Sequence, residues 1–255
     1  MSFENKIVVV TGGAKGIGGA CIRVFHENKA RVVILDIDEE QGNRYAKELG
    51  DSAMFIKTDV SKEEDVINAI EKIIATFGDI DVLVNNAAVQ YYSTVTESSV
   101  EQWDRTMAVN VRGGFICAKY AIPSMQRKGK GVIINMSSVQ AFVSQHQVAS
   151  YVTSKTAQIG LTRSIAIDYG PAIRCVAVCP GTVDTPLLRD LLSQSADPAK
   201  VLKECEEMHL VKRIASPVEI ADFVAYLSSE KASFITGEAF RIDGGLGITI
   251  PGSKQ

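Results

Sequence analysis

The run Tyr151-Val-Thr-Ser-Lys155 sets a phenol and an ammonium four residues apart. On a helix, two such side chains leave the same face one turn apart. A nearby ammonium favours the phenolate, because an opposite charge stabilises the ionised form of an acid. A tyrosine with an ordinary pKa of about 10 then becomes a group that can take and return a proton near neutral pH. The same spacing also occurs on solvated helices that do no chemistry. Its meaning depends on what the rest of the chain places beside it.

Short apolar, β-branched runs recur along the chain and alternate with longer amphipathic stretches. The pattern predicts strands over 6–11, 31–36, 53–57, 82–85, 131–136, 173–179 and 238–242, and helices over 17–28, 39–49, 62–77, 100–128, 152–169 and 217–229. Near-continuous apolar strands separated by helices imply a parallel sheet covered on both faces. The expectation is an α/β, doubly wound, Rossmann-type fold in which residues 1–255 form a single domain. Residues 183–212 break the rhythm: Pro186-Leu-Leu188 leads into a polar stretch and then a charged helical pattern through Met208. A long excursion between a strand and the next helix reads as a substrate-covering loop, against the alternative of a plain surface insertion.

Of the 255 residues, 46% are hydrophobic and 22% charged, with a net charge of −3, enough apolar content to fill one sizeable core. No basic surplus points to nucleic acid. The first apolar run, residues 7–10, is too short for a signal-peptide core, and no stretch approaches the ~20 apolar residues that span a bilayer. Five cysteines, Cys21, Cys117, Cys175, Cys179 and Cys205, lack a zinc-ligand pattern. They read as free thiols of a cytoplasmic protein, with no metal expected.

After the first strand comes Thr11-Gly12-Gly13-Ala14-Lys15-Gly16-Ile17-Gly18, entering a helix at Ile17. Glycines there allow a tight turn and a close approach of backbone to a pyrophosphate, and the helix N-terminus favours its charge. Asp36 ends the second strand, where an aspartate accepts hydrogen bonds from the ribose hydroxyls of NAD and repels the 2′-phosphate of NADP. Lys15 and Arg31 could soften that preference. NAD is the expected cofactor, with NADP the lesser one. Asp59 and Val60 follow the third strand, suited to the adenine, and Asn86 and Ala87 follow the fourth, where small residues let backbone lie against a cofactor.

Together with Ser138, these pieces resemble the short-chain dehydrogenase/reductase family over residues 5 to about 245. The resemblance rests on T-G-G-A-K-G-I-G, N-N-A-A, Asn110, Ser138 with Tyr151 and Lys155, P-G-T-V-D-T-P, and D-G-G at 243–245. Ala88 stands where the family often has glycine. The resemblance implies that Tyr151 is the acid/base, that Lys155 lowers its pKa and holds the nicotinamide ribose, and that Ser138 binds the reacting oxygen. It implies that Asn110 keeps a helix open for a water linking Lys155 to solvent. Pro180, Gly181, Val183 and Thr185 would pass the nicotinamide, while Asp184 caps a turn. A homotetramer is also implied, with helices around 100–128 and 152–169 packing across its two-fold axes; their apolar residues Phe115, Ile116, Ala118, Ala121, Ile122, Ala157, Ile159 and Leu161 agree with that and would equally suit packing onto the sheet.

Within that family the chain is most similar to aldose dehydrogenases, through S-S-V-Q-A, Y-V-T-S-K, R-C-V-A-V-C-P-G-T and S-F-I-T-G-E. A sugar pocket needs several hydrogen-bonding side chains, and Gln90, Gln140, Gln145, His146 and His209 are the candidates, with Gln140 foremost. The alternatives are a hydroxysteroid or other secondary alcohol, a 3-oxoacyl thioester, or a catalytically silent dinucleotide sensor or scaffold. An apolar alcohol would favour aromatic residues in 187–209, which has none. A silent protein would be expected to have lost Ser138, Tyr151 or Lys155.

Overall fold

The computed structural model describes residues 1–193 and 195–248. Gln194, in the expected substrate loop, and the tail from 249 to 255 lie outside the described residues. Seven strands, β1 (Ile7–Thr11), β2 (Arg31–Asp36), β3 (Ala53–Lys57), β4 (Val82–Asn85), β5 (Gly131–Met136), β6 (Ile173–Pro180) and β7 (Ala239–Ile242), form one sheet in the order β3-β2-β1-β4-β5-β6-β7. Every pairing is parallel. Strand order reverses beside β1, which pairs with β2 on one side and β4 on the other. Such a reversal opens a crevice beyond the carboxyl ends of the strands.

The helices are α1 (Gly16–Glu27), α2 (Glu39–Leu49), α3 (Glu63–Phe77), α4 (Val100–Met107), α5 (Gly114–Lys128), α6 (Ala149–Tyr169), α7 (Pro186–Ser193), α8 (Pro198–Met208) and α9 (Pro217–Ser228). Alternation along the strands divides the core in two. Val8, Val10, Val32 and Ile34 pack with Ile22 and Phe25 of α1 and Ile220 and Val224 of α9. Val9, Val33 and Leu35 face the other way, onto Val66 and Ile73 of α3, Ile116 and Ala121 of α5, and Ile165 of α6. All five residues of β1 are buried. Burying such side chains contributes roughly 1.5–3 kcal/mol each, so the carboxyl ends of β1, β4 and β5 form a rigid platform.

Two differences from the sequence-based elements matter for the site. The stretch expected as one helix over 100–128 is α4, then a π-helical turn over Ala108–Gly113, then α5. Helix α6 begins at Ala149 rather than 152, which brings Tyr151 into its first turn. Ile116, Ala118, Ala121, Ile122 and Ile159, which suited either an interface or the sheet, are buried within the subunit. They pack inward because they lie on the helix faces toward the sheet. Phe115 remains 50% exposed.

Candidate active site

Two clefts meet at the carboxyl edge of the sheet. The first, about 530 Å³, lies over the β1–β4 crevice. Its floor is the glycine turn. Gly12 and Gly16 adopt left-handed backbone, with φ of 62° and 58°, and a Cβ on Gly18 would stand 2.1 Å from the Gly12 carbonyl oxygen. Asn86 braces this turn, donating from Nδ2 to the carbonyls of Thr11 and Gly12, both at 3.0 Å. Lys15 precedes α1 without any side-chain cap, and the helix has no acidic residue in its first turn. Its free N–H groups suit an anion.

Asp36 is buried, accepting from Ala14 N and Asp38 N at 3.0 Å each. A carboxylate has about four acceptor sites, so two bonds leave capacity for hydroxyl donors. Lys15, the cation nearest to it in the turn, lies 3.6 Å from the Asp38 carboxylate. Asp59, Val60, Ala87 and Ile17 also line the first cleft. Asp59 is held by Arg105 of α4 at 3.3 Å and by the Ser61 hydroxyl at 2.7 Å. Burial acts to raise the Asp59 carboxyl, yet the Ser61 and Arg105 contacts prevail and hold it below its ordinary value. Sequence reasoning missed Arg105, which comes from a distant helix and carries no local signal.

Tyr151, Lys155, Ser138 and Pro180 stand at or beside the boundary of the clefts: Tyr151 and Pro180 line both, Lys155 the first and Ser138 the second. The Lys155 Nζ donates to the Met136 carbonyl at 2.7 Å and lies 5.4 Å from the centre of the Tyr151 ring. Burial pushes the lysine down to about 8. Burial, rather than the downward pull expected of Lys155, sets the balance at Tyr151. Burial pushes the phenol up to about 12, and a hydrogen bond with Ser138 opposes this only in part. The reason is that desolvation penalises both charged forms while the ammonium is engaged by a carbonyl.

Asn110 lies behind this group in the π-helical turn, fully buried. Its side chain accepts from Val89 N at 2.8 Å and donates to Val89 O at 2.9 Å and to the Ser154 hydroxyl at 3.0 Å. Thr185 lines both clefts, and Gly181 and Val183 line the second. Val183 bridges to Ala215, with the bonds made by Asp184 N and Ala215 N, so its own N–H and C=O stay out of that ladder. Asp184 pairs with Arg189 at 2.9 Å.

The second cleft, about 700 Å³, runs from Tyr151 and Ser138 to α7 and α8. One wall carries Gln90, Tyr92, Gln140 and Gln145, and the other carries Leu187, Leu188, Leu191, Leu192 and Met208. Among the described residues, no lysine, arginine or histidine lines it, and Glu204 is the one charged group. Tyr92 lies close enough to act on Tyr151, and burial pushes its own phenol up. It was missed in sequence reasoning, although it follows Gln90 in the same segment.

Two substrate candidates fall outside this wall. His146 is exposed and lines neither cleft, because its loop turns it outward. His209 is 2% exposed, and both ring nitrogens are spent on backbone. Nε2 accepts from Thr182 N at 3.1 Å, which leaves the proton on Nδ1 to donate to the Cys205 carbonyl at 2.7 Å. His209 therefore ties α8 to the segment after β6 and has no ring nitrogen left for a substrate. Among the described residues no group of three or more His, Cys, Asp or Glu side chains could hold a metal ion, and no helix is long and apolar enough to cross a membrane.

A parallel sheet with a glycine turn at its switch point and a tyrosine–lysine pair at the cleft defines a class of dinucleotide-binding fold. A family profile described as Enoyl-(Acyl carrier protein) reductase matches residues 12–247. The chain is 40% identical to an uncharacterized oxidoreductase of Thermotoga maritima, covering 96% of this chain and 98% of the relative. It is 36% identical to cis-4-hydroxycyclohexanecarboxylate dehydrogenase of Sinomonas cyclohexanicum, over 96% and 97%. Among solved structures it superposes on ligand-free aldohexose dehydrogenase of Thermoplasma acidophilum with a TM-score of 0.92 and 39% identity, covering 99% and 98%. A 3-ketoacyl-(acyl-carrier-protein) reductase of Brucella melitensis complexed with NADH gives 0.90 and 33%, covering 96% and 100%. The chain belongs to the short-chain dehydrogenase/reductase family and is an oxidoreductase.

Proposed function

We propose that the protein is an NAD-dependent dehydrogenase that oxidises the hemiacetal carbon of an aldose, with Ser138, Tyr151 and Lys155 at the reacting centre. The carrying observation is the second cleft: neutral amides and a phenol on one wall, leucines on the other, and no cationic side chain among the described lining residues. A buried carboxylate or sulfonate needs a cationic partner. This wall suits an uncharged polyol with one hydroxylated and one more apolar face. The likeness to an aldohexose dehydrogenase supports the same substrate class.

The first cleft fits the cofactor, since Gly12, Lys15 and Gly16 line it at the uncapped N-terminus of α1, where main-chain N–H groups suit a pyrophosphate. NAD, when bound, supplies the hydride acceptor. Asp36 would accept the adenosine ribose hydroxyls, and the Lys15–Asp38 pair leaves the site poorly disposed to a further phosphate, which supports NAD over NADP. Asp59 would receive the adenine amino group, held in place by Arg105. Ser138 would donate to the reacting oxygen. Tyr151 would take the hydroxyl proton as the carbonyl forms and return it in the reverse direction. Lys155 would hold positive charge beside the phenol and bind ribose hydroxyls.

A second reading, a secondary alcohol of a more apolar ring, is favoured by the leucine wall alone. Initial rates with NAD or NADP over aldoses, polyols, neutral ring alcohols and hydroxy acids separate these cases. Fastest NAD reduction with an aldose supports the proposal; preference for a hydroxy acid or for NADP defeats it. Exposed Val100, Trp103, Phe115 and Ile167 on α4, α5 and α6 support the homotetramer, which light scattering tests. Five unpaired cysteines support a cytoplasmic location.

A further inference from the structure

Gln158 is a buried amide on α6 whose environment no part of the proposed reaction explains. It is 3% exposed, and its Nε2 donates to the main-chain carbonyl of Asn110. Its Oε1 is one of four buried side-chain atoms without a partner among the described residues. Leaving such an atom unpaired costs about 1–3 kcal/mol, so an apolar side chain at this position would be the cheaper choice for packing alone.

The placement supplies a reason. A π-helical turn shifts the backbone ladder by one residue, and the turn over Ala108–Gly113 presents the Asn110 carbonyl to α6. Asn110 then grips α6 at two points. Its side-chain Nδ2 reaches the hydroxyl of Ser154, and its carbonyl receives the amide of Gln158. These two residues flank Lys155 at one position before and three after it. Ser154 in turn donates to the Tyr151 carbonyl at 2.7 Å, and Ser137 at the end of β5 donates to the Lys155 carbonyl at 2.7 Å. A helix held on both sides of one residue can neither roll nor slide there. The main-chain oxygen of Gln158 also accepts from Thr162, which receives the Asn135 amide, so the clamp is tied to β5 as well.

We propose that Gln158 is a positioning residue: with Ser154 it clamps α6 to the widened turn at Asn110 and so fixes Lys155, and through it Tyr151, at the reacting centre. The proposal rests on the reading of Tyr151 and Lys155 given above. Gln158 touches neither substrate nor cofactor in this role; it acts through the helix that carries them.

Gln158→Met keeps the length and removes both polar atoms. Its expected effects are a fall in kcat of about tenfold, KM for NAD changed by less than about twofold, and an acid limb of the kcat–pH profile moved to lower pH, because water reaching the loosened helix relieves the burial that holds the Tyr151 phenol up. Gln158→Glu, unable to donate once ionised, should lose activity further as pH rises. Carbon-13 NMR of lysine-labelled protein, with Lys155 assigned through Lys155→Met, gives a reading that needs no turnover. In Gln158→Met the Lys155 titration should move back toward that of an ordinary lysine as water reaches it. Unchanged kcat, pH profile and Lys155 titration, or a lowered melting temperature with all three unchanged, would overturn the clamp. Absence of turnover in the wild type would instead count against the dehydrogenase reading, leaving the NMR titration to decide the role of Gln158.

Discussion

The two clefts are built by different means. The first rests on the ends of fully buried strands and on main-chain geometry. Leu35, Asp36, Gly12 and Val60 are fixed by the sheet and its turns, and nearly every polar group there has a partner. The second is roofed by α7 and α8, in which no described residue is buried. A cleft of the first kind serves one ligand shape with little latitude. One of the second kind can be re-cut by exchanging side chains on the roof without disturbing the sheet. Cofactor choice and chemistry should therefore be brittle to substitution in the first region, and substrate choice should be tunable in the second.

The largest effect is expected where the clefts meet. Tyr151→Phe removes the proton carrier and should lower kcat by about 10²–10⁴-fold while NAD binding, followed by fluorescence titration, stays within about threefold of wild type. In the wild type, burial keeps the proton on the phenol, up to about 12. Alcohol oxidation needs that proton gone, so kcat for oxidation should rise with pH through the neutral and mildly alkaline range, and the reverse reduction should not. A flat oxidation profile would remove the phenol from the rate-limiting step.

Gly18→Ala is the next largest. Its Cβ would lie 2.1 Å from the Gly12 carbonyl oxygen and 2.6 Å from Asn86 Nδ2, and overpacking of this kind costs about 1–3 kcal/mol. Calorimetry should show weakened NAD affinity together with a lower melting temperature. Asp36→Ala should shrink the preference for NAD over NADP by roughly tenfold, with kcat on the substrate little changed. Equal selectivity before and after would show that Asp36 does not read the ribose.

On the roof, His209→Phe removes the ring bonds to Thr182 and Cys205. Unpairing buried groups costs about 1–3 kcal/mol, and the expected result is a raised substrate KM with a smaller change in NAD affinity. His146→Ala, at an exposed site outside both clefts, should leave both constants alone. If His146 proved the more damaging of the two, the wall of the second cleft would have to be redrawn.

The sheet was legible because β1, β2 and β4–β6 are near-continuous apolar runs; four strands have the limits read from the sequence, and β1, β6 and β7 each differ by one residue at one end. The break at Ala108–Gly113 was not legible in the periodicity, although the family resemblance implied that Asn110 holds a helix open. Ala-Val-Asn-Val-Arg keeps helical periodicity with no proline, and what widens the turn is contact of Asn110 with Val89, Ser154 and Gln158, all distant in sequence. His209 misled for the same reason. In the sequence it is a lone histidine in a charged stretch, and its partner Thr182 lies 27 residues away. Arg105 and Tyr92 were missed because their neighbours are assembled by the fold. Local spacing identified the glycine turn and the Tyr151–Lys155 pair, since both depend on residues within one or two turns of each other.

In the proposed reaction hydride leaves the hemiacetal carbon of an aldose while Tyr151 takes the hydroxyl proton. Mass spectrometry of the NADH formed from an aldose deuterated at that carbon tests it most directly. One deuterium is expected in the reduced cofactor from the wild type, and almost no labelled cofactor from Tyr151→Phe under the same conditions. Unlabelled NADH from the wild type, or labelled NADH at an undiminished rate from the variant, would contradict it.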